Sequence, residues 1–471
     1  MATLNSALQL MSGALTADQG ALDVTSNNVA NANTPGYTRE VPIFQANDSV
    51  TINGISYGQG VQMTEAQSQR SLVLDAAVQQ QTQTQQATNS EATALTQVED
   101  IFNQVTTSTS SSGVNSLGDE VTNFFNSLTS LAATPSSVSL RESVLTAAGQ
   151  MTSAFNSAAS QLNQQTVSLN TQVQGVVNQI NPLLTSIAQL NQQISTSSPN
   201  SDAGTLEDQR QYDLQQLSQY IGVNVITNED NSVTLTTTGG ALLLSKNQAF
   251  PLTTSTVDGN VDVFTSAPGG ATDITSAQAS GGGQLAGLLT TRDQDIPSIL
   301  SQINTLASGV ATQINSIQTG GTDLNGNAGQ PLFTISATDP AASFSVALTD
   351  PSLIAASATG NGTGDNTNLE AMINVQNLTN VGGQTPANYY ASFISELGSQ
   401  VSGLNTQNQA QQASLAQVQS QVSSLSTVSL NEEAANLQSY EQAYQSASQV
   451  FNIVNTVIMS ALNLGVQTAV T

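Results

Sequence analysis

Heptad-spaced apolar residues at both ends of the sequence constrain its fold more than any other feature. Near the start, Leu4, Leu8, Met11, Leu15, Leu22 and Val29 follow the alternating three- and four-residue steps of a coiled-coil seam, with Asp18 and Thr25 in the remaining seam positions. Near the end, Leu430, Leu437, Tyr444, Phe451 and Ile458 recur at strict seven-residue intervals, and Tyr440, Ala447, Val454 and Ala461 add a second line. A one-faced helix that buries nothing is marginal in water, so each stripe needs a partner. Each could pack onto its own neighbouring domain. The strict heptad period and the terminal position of both favour helix on helix, so the two ends are expected to meet.

The other residues limit what chemistry can accompany such a scaffold. There is no His and no Cys in the 471 residues, which excludes zinc sites of the usual ligand sets, Ser/His and Cys nucleophile systems and disulfides. Six Lys+Arg stand against 32 Asp+Glu, a formal charge of -26, so binding to phosphate backbones or acidic lipid through basic patches is not expected. Only 8% of residues are charged, and Ser, Thr, Asn and Gln must supply most of the solubility. No positively charged segment precedes Arg39, so a secretory signal peptide is not expected. The most apolar run, from Val450, is broken by Asn452, Asn455 and Asn463 and reads as an amphipathic helix instead of a membrane span.

Between the ends the hydrophobic period divides the chain. A helical block is expected from about 64 to 105, with Leu95, Val98, Phe102 and Val105 in step, followed by the loop "TTSTSSSG". A short helix carries Leu117, Val121, Phe124, Leu128 and Leu131. A long one runs from Ala148 through Phe155, Leu162, Leu169 and Val176 to Ile180, Ile187 and Ile194, and Pro182 should kink or split it. After Tyr220 the period becomes two: "VNVI", "SVTLTT", "ALLL" and "VDVF" are separated by turn clusters, as hairpins are. The expected division is 1–63 (N-terminal coiled-coil helix, Asn-rich turn and extended segment), 64–221 (helical), 222–283 (β-rich), 284–318 (helical), 319–385 (Gly/Asn/Asp-rich, irregular or β, partly mobile), 386–427 (helical) and 428–471 (C-terminal coiled-coil helix). The fold class is mainly α with a β-rich insertion, an α+β plan in which a long-helix bundle carries a small β subdomain and the terminal helices form a coiled coil.

At the first seam's end stands "SNNVANANTPGYTRE", with Asn27, Asn28, Asn31, Asn33, Thr34, Pro35, Gly36 and Tyr37. Small amides bond nearby backbone and suit helix ends and tight turns. Pro35-Gly36 suits the centre of a type II turn, with Gly at positive φ. From turn chemistry alone this is a helix-terminating loop. The full stretch "LQLMSGALTADQGALDVTSNNVANANTPGYTRE" resembles the N-terminal signature of bacterial flagellar axial proteins, the rod, hook and hook-associated families, and "VSLNEEAANLQSYEQAYQSASQVFNIVNTVIMSALNLG" resembles their C-terminal partner. Internal stretches such as "SLRESVLTAAGQMTSAFNSAASQLNQQ" and "GGGQLAGLLTTRDQDIPSILSQINTLASGVATQIN" are similar to the hook-associated protein 1 family, which forms the hook-filament junction.

That resemblance implies a non-enzymatic structural subunit, exported unfolded through the flagellar type III apparatus without signal cleavage and located outside the cell. It implies as partners copies of the chain itself in a ring, the hook protein, hook-associated protein 3 and an export chaperone on the C-terminal helix. The assembly residues would be Leu4, Leu8, Met11, Leu15, Leu22 and Val29 with Leu430, Leu437, Tyr440, Tyr444, Phe451, Val454 and Ile458, and the chaperone face Tyr444, Phe451 and Ile458. The Asn-rich turn would carry the chain from the inner helical layer to the next. The ends are expected to be disordered or weakly helical in the monomer. Pro182 departs from the family pattern, and the short region after "GQPLFTI" (Gly329 to Ile335) implies a reduced or missing outer domain.

Other readings remain at this point. The chain could be another axial subunit, of hook or distal rod, or an adhesin or glycan-binding module using the β-rich middle, where only Phe250 and Phe264 offer aromatic platforms. A carboxylate enzyme finds little support, since adjacent acids such as Glu432-Glu433 point to different faces of a helix. "DLNGNAG", Asp323 to Gly329, departs from a calcium loop at its Gly and terminal positions and reads as an Asx-rich turn. No cofactor and no metal are expected.

Overall fold

The computed structural model describes residues 2–52, 55–103, 116–197 and 203–467 of the chain. Helix α1 (Ala2–Asn31) opens it, followed by β1 (Glu40–Ala46), a small hairpin of β2 (Val50–Ile52) and β3 (Ile55–Tyr57), and β4 (Val61–Ser68). β1 and β4 pair antiparallel, Glu40 opposite Ser68 and Ala46 opposite Val61. Residues 64–71 therefore belong to a strand and a connection, not to the helical block expected from 64. Their alternation with β1 across the ladder outweighs helical period in so short a stretch.

The body is built from long helices. α2 (Leu72–Asn103), α3 (Leu117–Ala132), α4 (Val138–Ser197) and α5 (Thr205–Tyr220) come first. Val105 and the loop expected at 106–113 lie outside the described residues. Next come strands β5 (Val223–Thr227), β6 (Val233–Thr237), β7 (Leu242–Ser245) and β8 (Gln248–Ala249), a four-stranded antiparallel meander, and then β9 (Leu252–Val257), β10 (Asn260–Thr265) and β11 (Thr272–Asp273) in a second sheet. α6 (Thr275–Ala279) and α7 (Gly283–Thr290) lead through a π turn at Thr291–Asp295 into α8 (Ile296–Gly320). Short two-stranded pairs, α9 (Pro340–Ser343) and α10 (Thr367–Asn374) follow. The chain ends in α11 (Pro386–Ser426) and α12 (Leu430–Gln467).

One continuous core joins these body elements. Phe155 meets Phe344 edge-on with ring centres 5.4 Å apart, Phe124 meets Phe333 at 5.5 Å and Phe102 meets Phe393 at 4.9 Å. Phe333, Phe344, Leu348, Ile354, Leu369 and Met372, from the 319–385 segment, are buried in it. That segment is packed, and it contains the short helices α9 and α10. Pro182 does not split its helix either. Pro182 is exposed, so the carbonyl that loses its amide partner there faces water.

The β layer is fastened to the helices by a repeated device. The side-chain amide of Asn181 donates to the Leu252 carbonyl at 2.9 Å and accepts the Leu252 N–H at 2.8 Å. Asn191 treats Val233 the same way, at 2.8 and 3.0 Å, and Asn315 of α8 does so with Phe333, at 2.8 Å in both directions. An Asn side chain thus imitates a neighbouring strand and satisfies an edge residue that the sheet leaves open. Arg292, on the π turn, adds bonds to Asn170 (3.0 Å) and to the Val261 carbonyl (2.5 Å).

Candidate functional site

α1 and α12 lie antiparallel against each other, and the β1/β4 ribbon lies along α1. The expectation that the ends lack firm structure in a single chain is corrected here: both are helical and already paired. The fully buried side chains of α1 are mostly small ones. Ala17, Ala21, Val24, Thr25 and Asn28 are buried, whereas the larger seam residues Leu8, Met11, Leu15 and Leu22 are half-buried, as are Leu437, Tyr440, Phe451, Val454 and Ile458. Val29, Leu430 and Tyr444 are exposed, and the Leu4 side chain lies outside the described residues. Phe44 of β1 faces Tyr440 with ring centres 6.3 Å apart.

The Asn-rich motif forms a junction instead of a plain turn. Asn27, Asn28 and Asn31 are still helical, and the turn proper begins after them. The Asn31 amide donates to Asn27 Oδ1 at 2.7 Å, and its Oδ1 accepts the Thr34 hydroxyl at 3.2 Å. The Tyr37 N–H closes onto the Thr34 carbonyl at 3.2 Å, with Gly36 at φ 81°, the positive value its place in a type II turn requires. Asn33, Thr34, Pro35 and Gly36 are exposed.

Asn28, 1% exposed, uses every direction its amide offers. It donates to the Glu40 carbonyl at 2.8 Å and accepts the Glu40 N–H at 2.9 Å, the same clamp seen on the sheets. Its Oδ1 also accepts the Tyr37 hydroxyl at 2.8 Å, and its Nδ2 reaches Glu433 at 3.2 Å. Burial, then the charges of Glu40, Asp208 and Glu433, push the Tyr37 hydroxyl above its usual range. Tyr37 is thereby held protonated, as a donor to Asn28 must be.

Glu433 stands at the start of α12 with 2% of its side chain exposed, and receives Arg39 Nε at 2.7 Å. Arg39 also reaches Glu432 at 3.0 Å, while its N–H bonds the Ser426 carbonyl at 2.9 Å at the end of α11. Adjacent acids that point apart on a helix are gathered by one guanidinium. The link to the body follows immediately. Arg70 pairs with Asp208 and, at 3.0 Å, with Glu207 of α5, and lies 3.9 Å from Asp75 of α2. Asp208 in turn accepts the Thr38 N–H at 2.8 Å. Three carboxylates share this one cation. Burial pushes the Asp75 carboxyl up to about 6, with Arg70 lowering it and Asp208 raising it.

The sequence reading did not single out Arg39, Glu40, Arg70, Asp208 or Glu433 in these roles. Four of the six cationic residues are Arg39, Arg70, Arg210 and Arg292, and their scarcity in so acidic a chain was the available signal. Elsewhere, Phe250 is buried and Phe264 half-buried, so neither forms an aromatic platform. The Asp323 carboxylate accepts the N–H groups of Asn325 and Asn327, each at 2.8 Å, as an Asx-rich turn does. Among the described residues no cluster of three metal-ligating side chains occurs and no helix is long and apolar enough to cross a membrane.

α12 is apolar well beyond the face it turns to α1. Val450, Ile453 and Val457 line one exposed edge, with Ile453 62% exposed, and Met459 and Leu462 line another. Asn452, Asn455, Thr456 and Ser460 are exposed between them, so this uncovered surface is mixed apolar and amide.

Comparisons with known proteins agree with this layout. A family model described as the helical domain of flagellar hook-associated protein FlgK matches residues 95–333, and one described as flagella basal body rod protein matches residues 8–38. The chain is 28% identical to flagellar hook-associated protein 1 of Escherichia coli, covering 96% of this chain and 98% of the relative. It is 27% identical to flagellar hook-associated protein 1 of Bacillus subtilis, covering 96% of each. The protein of that name from Salmonella typhimurium is 26% identical, with 96% and 98% covered. Among solved structures, the flagellar hook junction protein FlgK from Burkholderia pseudomallei matches with a TM-score of 0.65 at 19% identity, covering 74% of this chain and 99% of that one. That last likeness is one of fold.

Proposed function

The chain belongs to the flagellar hook-associated protein FlgK family, whose helical-domain model spans 95–333 of its 471 residues, and from that premise we infer that it is a structural subunit of the bacterial flagellum, forming the junction between hook and filament. It acts by assembly, not by catalysis. The observation that carries this reading is the union of both chain ends at Asn28, Arg39 and Glu433, with the outer edges of α12 left uncovered in a single chain.

Copies stacked around an axis supply what those edges lack. Each large side chain that becomes fully buried contributes about 1.5–3 kcal/mol, offset by the ordering of helices and side chains. Segments 1–63 and 428–471 form the assembling arm, and the intervening segments form the body that faces outward. The clamp at Asn28 and the Arg70 cluster set the angle between the two. Copies of the chain in a ring, the hook protein below and hook-associated protein 3 above are the partners this arrangement serves.

Before assembly the same α12 surface must be shielded, and an export chaperone covering Tyr444, Phe451 and Ile458 would do so. Of these, Tyr444 is already exposed, and Phe451 and Ile458 are half-exposed along the seam. Export through the flagellar type III route, without cleavage, leaves the heptads of α1 intact. Deletion of 430–471 tests the assignment: joining of filaments to hooks is lost while the body stays folded. An adhesin would keep its ligand after the same deletion, and that result would overturn the reading.

A further inference from the structure

Where the arm meets the body, the packing leaves a cavity of about 370 Å³. Four parts of the chain wall it: Gly36 and Tyr37 of the Asn-rich turn, Arg70 and Asp75 around the start of α2, Tyr212 of α5 and Ser426 at the end of α11. Asp75 is 6% exposed, yet its Oδ2 accepts no hydrogen bond. Its ion-pair partner, Arg70 Nε, stands 3.9 Å away, beyond the ~2.8 Å of a charge-assisted hydrogen bond. A buried carboxylate oxygen in that state is costly.

Arg70 is held back because its two terminal nitrogens are already taken by α5. Nη1 reaches Glu207 at 3.0 Å and Nη2 pairs with Asp208. Asp208 uses its other oxygen to hold the Thr38 N–H of the arm at 2.8 Å. Arg70 therefore closes on Asp75 only by easing its grip on the two α5 acids, and Asp208 moves only by easing its grip on Thr38. Burial, opposed by Arg70 and aided by Asp208, pushes the Asp75 carboxyl up to about 6, so it changes charge in a mild pH range. The other titratable side chains on the cavity wall are Tyr37 and Tyr212, and α11 contributes only uncharged residues to it. Arg210 feels the charges of Glu207 and Arg70 but is spent on Asn191 Oδ1, at 3.1 Å.

We propose that Asp75 and Arg70 form a proton-controlled latch between the arm and the body. With Asp75 protonated, the carboxyl makes no claim on Arg70, which stays on Glu207 and Asp208, and Asp208 holds Thr38 firmly. When the proton leaves to solvent, the Asp75 carboxylate draws the guanidinium toward itself and the hold on Thr38 loosens. The cavity supplies room for that swing, about 1 Å from the present 3.9 Å to hydrogen-bonding distance. Between 3.8 and about 6 the closed junction keeps a proton that the opened one has released, so the latch weakens as pH rises through that window and is flat above it. It is a property of one chain and requires nothing of neighbouring copies.

Hydrogen exchange of the purified full-length protein tests it, read by mass spectrometry at the Thr38 and Arg39 amides, with each rate divided by the intrinsic rate at the same pH. Thr38 protection in the wild type is expected to fall about tenfold from about pH 4.5 to about pH 6.5 and to level off above that. Asp75→Asn, which keeps the shape of the protonated group, is expected to hold its protection within about twofold over the same range. Glu207→Gln leaves Arg70 freer to serve Asp75, so the fall is expected at lower pH. Wild-type protection that does not change with pH, or an equal fall in Asp75→Asn, overturns the proposal. Should Asp75→Asn not fold, Glu207→Gln decides: a fall that has moved to lower pH supports the latch, and an unmoved one overturns it. The measurement is made on the isolated chain, so its failure leaves the junction reading standing, and failure of the 430–471 deletion test leaves the latch standing.

Discussion

The side-chain amide of Asn28 donates to the Glu433 carboxylate at 3.2 Å, across 405 residues of chain. Through this contact the last turn of α1 senses the first turn of α12, and Arg39 completes it from the following segment. Each partner is buried, so each depends on the other for its polar satisfaction. The arm is held as one unit at its base and is open along its length.

Asn28→Ala removes four hydrogen bonds and leaves the Glu40 backbone and Glu433 short of partners. A loss of about 3 kcal/mol in the stability of the arm follows. Hydrogen exchange should show faster exchange in the first turns of α12 while the β5–β8 meander keeps its protection. Equal protection of α12 in the variant and the wild type would refute the role given to Asn28.

Gly36→Val forces a β-branched residue into a positive φ and places its Cβ about 3.0 Å from the Tyr212 Cβ. The strain costs about 2 kcal/mol and tilts the arm against α5. Urea denaturation gives the first quantity. Normal joining of filaments to hooks by the variant would count against any role for the turn in setting the layer geometry.

Ile453→Ser with Val457→Ser changes side chains that the single chain leaves largely in water. Thermal stability of the isolated protein should change by no more than about 0.5 kcal/mol. Binding to isolated hooks should fall at least tenfold. A large loss of stability in the isolated protein would mean that these residues serve the fold and not the assembly.

Glu91 supplies a pH test of the body. Burial, and then the nearby Asp295 charge, push its carboxyl up to about 7 from 4.5. Between those values the folded state keeps a proton that the unfolded state has released, so this group's contribution to stability falls as pH rises through the window and is flat above it. Glu91→Gln removes that dependence. Urea midpoints of variant and wild type should agree near pH 5, with the variant higher at pH 8; a constant offset at both values would remove Glu91 as the cause.

Much of this architecture is legible in the residue pattern because apolar period maps directly onto burial. The stripe Leu117, Val121, Phe124, Leu128 and Leu131 is buried throughout α3, and the long run from Phe155 to Ile194 forms the inner face of α4. Pattern misled where a local rule met a wider context. Pro182 reads as a break, yet its place on the wet side of α4 lets the helix run on. Residues 64–68 read as the head of a helix, yet pairing with β1 claims them. The asparagines were the least legible residues. Asn in a helix reads as a weak helix former or an approaching end, whereas Asn28, Asn181, Asn191 and Asn315 each grip one backbone residue of a passing strand.

The sequence by itself determined that two one-faced helices stand at the ends, that long helices build the body, and that no histidine or cysteine chemistry is available. It did so because period and composition are local properties, readable one window at a time. Only the tertiary structure decided which partner each polar group takes and which apolar groups are covered: that Glu433 answers Asn28 and Arg39, that Arg70 gathers three acids, and that Ala17 and Ala21 of α1 are buried while Leu8 and Leu22 stay half-buried. Those choices depend on distances between segments remote in the chain, and a hydrogen bond or an ion pair has value only once packing has brought its two halves together and excluded the water that would otherwise replace either one.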